Sequence, residues 1–268
     1  MSRYEAMFDR LKMRGEGTLG AFVMLGDPDL ATSATILDAL VEGGADMLEV
    51  GIPFSDPVAD GPVIQAAAER ALANGVTPPD CFALLTAFRR RHLDIPIGLL
   101  TYANLVVSAG RSAFYAQAAA AGVDSILVAD VPLLEAEPFA AAALEAAIEP
   151  VLIAAANTPA ATLKKIAALG GGYTYCVARA GVTGAGEDVS FDHARMLEAL
   201  RLHDAAPPIF GFGISRPQHV RAALNAGAAG VISGSAIVSL IAANPSAPAT
   251  TVKEFVASMK AATEMAKI

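Results

Sequence analysis

The chain has 268 residues, 54% hydrophobic and 17% charged, with a formal net charge of −8. So much apolar material excludes wholesale disorder, and the acidic balance excludes the clustered positive charge that a nucleic acid or an anionic membrane would require. Two distant cysteines, Cys81 and Cys176, cannot form a metal knuckle or a CxxC redox pair, and read as reduced packing residues of a cytoplasmic protein.

The first segment, MSRYEAMFDRLKMRGEG, is an amphipathic helix with both charge signs and no secretory apolar region. Apolar runs then recur as predicted strands at 19–25, 46–51, 95–101, 124–130, 150–154, 173–178, 208–213 and 229–233. Helical patterns lie between them at 30–43, 63–73 with 78–91, 111–121, 135–147, 159–169, 191–203 and 216–226. Strands that read as continuous apolar runs are covered on both faces, the mark of a parallel sheet. Eight strand-then-helix units predict an α/β fold, a (β/α)8 TIM barrel forming a single domain over 1–268 with an extra N-terminal helix. Glycines in Gly44-Ala45-Asp46, Gly122-Val123-Asp124 and Gly227-Ala228-Ala229 fit left-handed helix ends before the next strand. The segment from Ala222 to Val252 carries no charge, yet glycine, asparagine and proline interrupt it too often for a membrane span.

Barrel enzymes do chemistry where strands end. The second strand runs into three carboxylates, Glu49, Asp56 and Asp60, and the nearest downstream base is Arg70. Alternation places Leu48, Val50 and Ile52 on one face and Glu49 on the other, pointing into the barrel. A poorly hydrated carboxyl there gains proton affinity, which suits a general acid near neutral pH; the bland alternative is a buried Glu satisfied by a hydroxyl of Tyr173 or Tyr175. Asp60 precedes Gly61-Pro62, where it could also be a helix cap, and the company of Glu49 raises it to a catalytic candidate. Asp56 serves either loop structure or a contact with another protein.

Glycine-bearing loops end the last three strands: ARAGVTGAG (178–186), FGFGIS (210–215) and ISGSAIV (232–238). With the helix that starts at Ser235 they suggest a backbone cup for a phosphate. Apolar side chains from Phe22, Leu100, Tyr102, Leu127, Ala129, Ile153, Phe212 and Ile232 line the expected mouth, with rings that suit a flat ligand. His92, His193, His203 and His219 read as scattered surface residues, and no metal site is expected.

These residues together resemble the tryptophan synthase alpha chain family. The resemblance is carried by EVGIPFSDPVADGPVIQ (49–65), LGDPD (25–29), GLLTYANL (98–105), DSILVADVP (124–132), YTYCVARAGVTGA (173–185), GFGIS (211–215) and GSAIV (234–238). It runs over essentially the whole chain, and the strand-two motif is not shared by phosphate-binding barrels in general. The chain departs from the family at Thr101, where Met is common, and in GEDVSFD (186–192).

The resemblance implies retro-aldol cleavage of indole-3-glycerol phosphate to indole and glyceraldehyde 3-phosphate. It implies Glu49 and Asp60 as catalytic groups with Tyr175 as their hydrogen-bonding neighbour. Substrate contacts would come from Phe22, Ile64, Leu100, Tyr102, Leu127, Ala129, Ile153, Thr183, Phe212 and Ile232. Gly184, Gly213, Gly234 and Ser235 would hold the phosphate, and 179–193 would form a lid. It implies no cofactor in this chain and a beta-chain partner carrying pyridoxal phosphate, in an α2β2 assembly. Pro53, Asp56, Pro57, Asn104 and Leu105 would face that partner, with Leu105 to Val107 exposed at a loop tip. Two other readings stay open: another phosphosugar barrel isomerase, and a non-catalytic subunit that binds a phospho-ligand and regulates its partner.

Overall fold

The computed structural model describes residues 1–177 and 193–264. Its strands are β1 (Thr18–Met24), β2 (Met47–Gly51), β3 (Ile97–Thr101), β4 (Ser125–Val128), β5 (Glu149–Pro150), β6 (Leu152–Ala155), β7 (Thr174–Val177), β8 (Pro208–Gly211) and β9 (Gly230–Ser233). All ladders among them are parallel, in the order β5-β4-β3-β2-β1-β9-β8-β7-β6. Only Val151 separates β5 from β6, so one bent segment joins the two ends of the sheet into a nearly closed barrel. The sequence predicts a single strand at 150–154; Pro150, which has no N–H to offer a ladder, sits where it divides.

The helices are α1 (Arg3–Arg14), α2 (Leu30–Glu42), α3 (Pro62–Ala73), α4 (Pro78–Arg91), α5 (Ala103–Ser108), α6 (Arg111–Ala120), α7 (Glu137–Glu145), α8 (Ala160–Leu169), α9 (Ala194–Leu202), α10 (Pro217–Asn225), α11 (Ser235–Ala243) and α12 (Pro248–Lys260). Local chemistry explains their ends. Ser2 and Glu5 form a reciprocal cap on α1, Thr77 and Asp80 do the same for α4, and Asp29 caps α2. Gly44, Gly122 and Gly227 take the left-handed conformation that the recurring motif calls for, with φ of 100°, 86° and 99°. No helix among the described residues is long and apolar enough to cross a membrane.

The alternation read from strand two holds. Leu48, Val50 and Ile52 join the layer between sheet and helices, packing with Ile36, Leu37 and Leu85. Met47 belongs to the second cluster, inside the barrel, with Phe22, Leu127, Ile209 and Ile232. Helix α1 closes the barrel floor by adding Tyr4, Met7 and Leu11 to that interior cluster, and Tyr4 Oη is 2.7 Å from Ser125 Oγ. With its floor plugged, the barrel is accessible from the C-terminal ends of its strands.

Three expectations need correction. Residues 103–108 form helix α5, and Val106 is buried in the core, so the predicted exposed tip reduces to a half-buried Leu105 and a Val107 that is 55% exposed. His193 is buried at 5% exposure against the Phe210 ring, where its Nε2 lies 3.2 Å from the Val177 carbonyl oxygen. Pro53 is buried too, which leaves Asp56 and Asn104 exposed and Pro57 half-buried among the residues expected to face a partner.

Candidate active site

Strand β2 delivers Glu49 between Phe22 of β1 and Gly98 of β3. Its side chain is 2% exposed, and Tyr173 donates its hydroxyl to Oε1 at 2.7 Å. Burial pushes its pKa up to about 7, the Asp60 charge adds to the rise, and the Tyr173 hydrogen bond opposes it. The hydrogen-bonding neighbour is therefore Tyr173 rather than Tyr175. Tyr175 packs edge-on against Phe212, at 6.0 Å between ring centroids, and lies across Gly211. A Cβ on Gly211 would come within 2.0 Å of the Tyr175 hydroxyl, so only glycine leaves room for the ring.

Asp60 ends the loop that follows β2. The cap of α3 is Gly61 and its first residue is Pro62, so the Asp60 side chain is not used as a cap. It is 7% exposed, with its pKa raised by burial, an effect that a hydrogen bond with the Tyr102 side chain opposes. Tyr102 also accepts from the Ala59 amide at 3.4 Å and stacks on Phe54 with centroids 5.3 Å apart. Gln65 of α3 donates to the Asp60 carbonyl at 2.6 Å. Arg70, the nearest downstream base, is engaged elsewhere: its guanidinium grips Asp27 at 2.7 and 2.9 Å. Among the described residues neither Glu49 nor Asp60 has a cationic partner.

Both carboxylates line one cavity at the barrel mouth. Phe22, Ile64, Leu100, Leu127 and Ala129 form one part of its apolar wall, and Ile153, Tyr175, Phe212 and Ile232 form another. Gly213, Gly234 and Ser235 meet at the side built by β8 and β9. Ser235 is the first residue of α11 and its hydroxyl does not cap the helix, so the leading amides there are free of intrahelical acceptors. Gly213 takes a φ of 78° and Phe212 one of 65°, a left-handed turn at the β8 side of the cavity.

The site as read from sequence is thus largely gathered in one place, with three differences. Tyr102 stands behind Asp60 rather than on the cavity wall. Thr183 and Gly184, with most of the expected lid, lie outside the described residues. Ala59, Ile214, Ser215 and Ala236 line the cavity without having been singled out. All four lie inside the quoted motifs, beside the residues that were singled out, and that adjacency was the available signal. Among the described residues no group of three His, Cys, Asp or Glu side chains could hold a metal ion. The arrangement offers an acid poised near neutral pH, a second carboxylate, an apolar slot for a ring and a backbone cup for an anion.

Residues 8–267 match the family model for the tryptophan synthase alpha chain. The tryptophan synthase alpha chain of Klebsiella pneumoniae is 55% identical over 269 aligned positions, covering 99% of this chain and 100% of that one. A tryptophan synthase structure from Mycobacterium tuberculosis superposes with a TM-score of 0.89 at 28% identity, covering 99% of both chains. A tryptophan synthase complex from Pyrococcus furiosus gives 0.81 at 36% identity, covering 92% of this chain and 99% of that one.

Proposed function

The chain belongs to the tryptophan synthase alpha chain family, and from that premise we propose how its residues divide the work. It is a carbon–carbon lyase that cleaves indole-3-glycerol phosphate to indole and glyceraldehyde 3-phosphate. Glu49 starts the reaction protonated and gives its proton to indole C3. The carboxylate so formed then takes the proton of the neighbouring hydroxyl as the aldehyde carbonyl forms, and the bond between C3 and the glyceryl carbon breaks. The electron pair of that bond returns to the indole ring, so no external electron sink is needed.

Asp60 accepts a hydrogen bond from the indole N–H and stabilises the positive charge that builds on the ring as C3 is protonated. The apolar wall from Phe22 to Ile232 holds the ring, and the amides around Gly213, Gly234 and Ser235 hold the phosphate. Thr183 and Gly184 carry the remaining contacts that the family resemblance implies. Tyr173 keeps the Glu49 proton affinity from rising further.

One observation carries the assignment: a buried carboxyl with no cationic partner among the described residues, its pKa pushed up to about 7, in the same cavity as Asp60 and the glycine cup. It fits a general acid better than a regulatory ligand site, which would have no use for an acid poised at neutral pH. The test is release of indole from indole-3-glycerol phosphate by the chain and by its Glu49→Gln and Asp60→Asn variants. Unchanged turnover in the Glu49 variant would overturn the mechanism.

Tryptophan synthase structures include complexes. We extend that to this chain as an α2β2 assembly whose beta chain carries pyridoxal phosphate and consumes the indole, with Asp56, Pro57, Asn104 and Leu105 on the contact face. Added beta chain should then raise the rate of indole-3-glycerol phosphate cleavage.

A further inference from the structure

The barrel is unevenly closed. Strand β4 pairs with β3 and with the two-residue β5, while β6 pairs only with β7, so a seam runs between the end of β4 and β6. Over that seam lies a second apolar groove, lined by Val128, Val131, Leu133 and Leu152 together with Leu127 and Ile153. Leu127 and Ile153 also line the active-site cavity, so these two side chains form the partition between the spaces. They are unequal as walls. Leu127 is buried at 3% exposure, whereas Ile153 is 40% exposed at the rim.

The direction of the ligand follows from the ring order of the strands. The phosphate cup follows β8 and β9, and Asp60 follows β2. A ring whose N–H meets Asp60 and whose side chain reaches the cup directs its benzo edge across the barrel, toward β4 and β6. We propose that the seam groove is an accessory subsite for apolar substituents on the benzo ring of an indole, and that Ile153 is the specificity-determining residue that closes it. The subsite rests on the lyase reading for the orientation of the ring. Its chemistry suits a halogen or a small hydrocarbon, since no charged side chain among the described residues lines the groove. Truncating Ile153 removes the rim half of the partition, leaving Leu127, the carboxylates and the cup in place.

The experiment is equilibrium binding of indole, 5-bromoindole and 6-bromoindole to the full chain, its Ile153→Ala variant and the Ile153→Ala/Leu133→Trp double variant. Cleavage of indole-3-glycerol phosphate is measured on the same samples. Ile153→Ala should improve the affinity of at least one bromoindole relative to indole by about tenfold, and the added tryptophan should cancel the gain. An unchanged affinity ratio in Ile153→Ala, or a gain that survives the filled groove, overturns the subsite. A chain that shows the shift but cleaves nothing keeps the subsite and loses the lyase reading; one that cleaves without the shift does the reverse.

Discussion

Glu49 is costly to the fold, and its cost has a sign. A carboxyl whose pKa rises from 4.5 to about 7 on folding binds more protons in the folded than in the unfolded state between those values. Its contribution to stability is therefore full at low pH, falls as pH rises through that window, and is lost above it, by roughly 3 kcal/mol. Glu49→Gln should flatten the dependence of unfolding free energy on pH between about 4.5 and 7 and stabilise the protein above it, while lowering kcat by ~100-fold or more. Chemical denaturation at several pH values and a turnover assay measure both. The slope should shrink rather than vanish, because Asp46, Asp60 and Glu149 also have raised pKa values. A second expectation concerns Tyr173, whose hydroxyl favours the carboxylate form of Glu49. Tyr173→Phe should move the alkaline limb of the pH–rate profile above about 7, the reverse of what a general weakening of the site would give. Inward aim of Glu49 was legible because alternation on a short strand fixes which face each side chain takes. Choosing between Tyr173 and Tyr175 as its partner was not, because that depends on the stagger between β2 and β7 across the barrel, which no local pattern encodes.

At the scale of elements, prediction from sequence worked where a single local rule decides. The glycine-led motifs ended helices as expected, since no other residue takes that backbone conformation so cheaply. It failed where tertiary context decides. Residues 103–108 look like an apolar loop because six residues are too few for a helical period; Val106 packing into the core makes them α5. The fifth strand split at a proline for want of an N–H. His193 gave no sign of burial, because its place against Phe210 and Val177 joins elements on either side of a long connection. One tertiary link bears directly on the proposed role of Asp60. Helix α3 begins two residues after Asp60 and is bolted to the loop after β1 through Arg70 and Asp27, whose side chains are 34% and 1% exposed. Removing the guanidinium leaves a buried carboxylate unpaired. Arg70→Ala should therefore cost ~2–4 kcal/mol in unfolding free energy. It should also lower kcat through a less well held Asp60, while Arg70→Lys recovers part of both; denaturant melts and steady-state rates on the two variants check this.

For the molecule as a whole, the barrel sets the ligand cup and the carboxylates around one opening, and the proposed partner face lies beside it. Loop 52–61 and helix α5 meet there at Tyr102. Tyr102 is the N-cap of α5, stacks on Phe54, accepts from Ala59 and hydrogen-bonds Asp60. Any chain that docks on the exposed Val58, at 73% exposure, and Val107, at 55%, presses on both segments at once. A direct link from that surface to Asp60 runs through the Tyr102 hydroxyl. Two outcomes follow. Val58→Asp and Val107→Asp together should weaken beta-chain binding by at least about tenfold, since each charge would be buried without a partner, yet leave the melting temperature of the lone chain nearly unchanged. Tyr102→Phe should leave binding of the beta chain intact and reduce the rate enhancement it confers, because the ring still stacks on Phe54 while the tie to Asp60 is gone. Titration calorimetry with the beta chain, beside cleavage rates with and without it, separates these. Full activation in the Tyr102 variant would mean that the partner reaches Asp60 by another path.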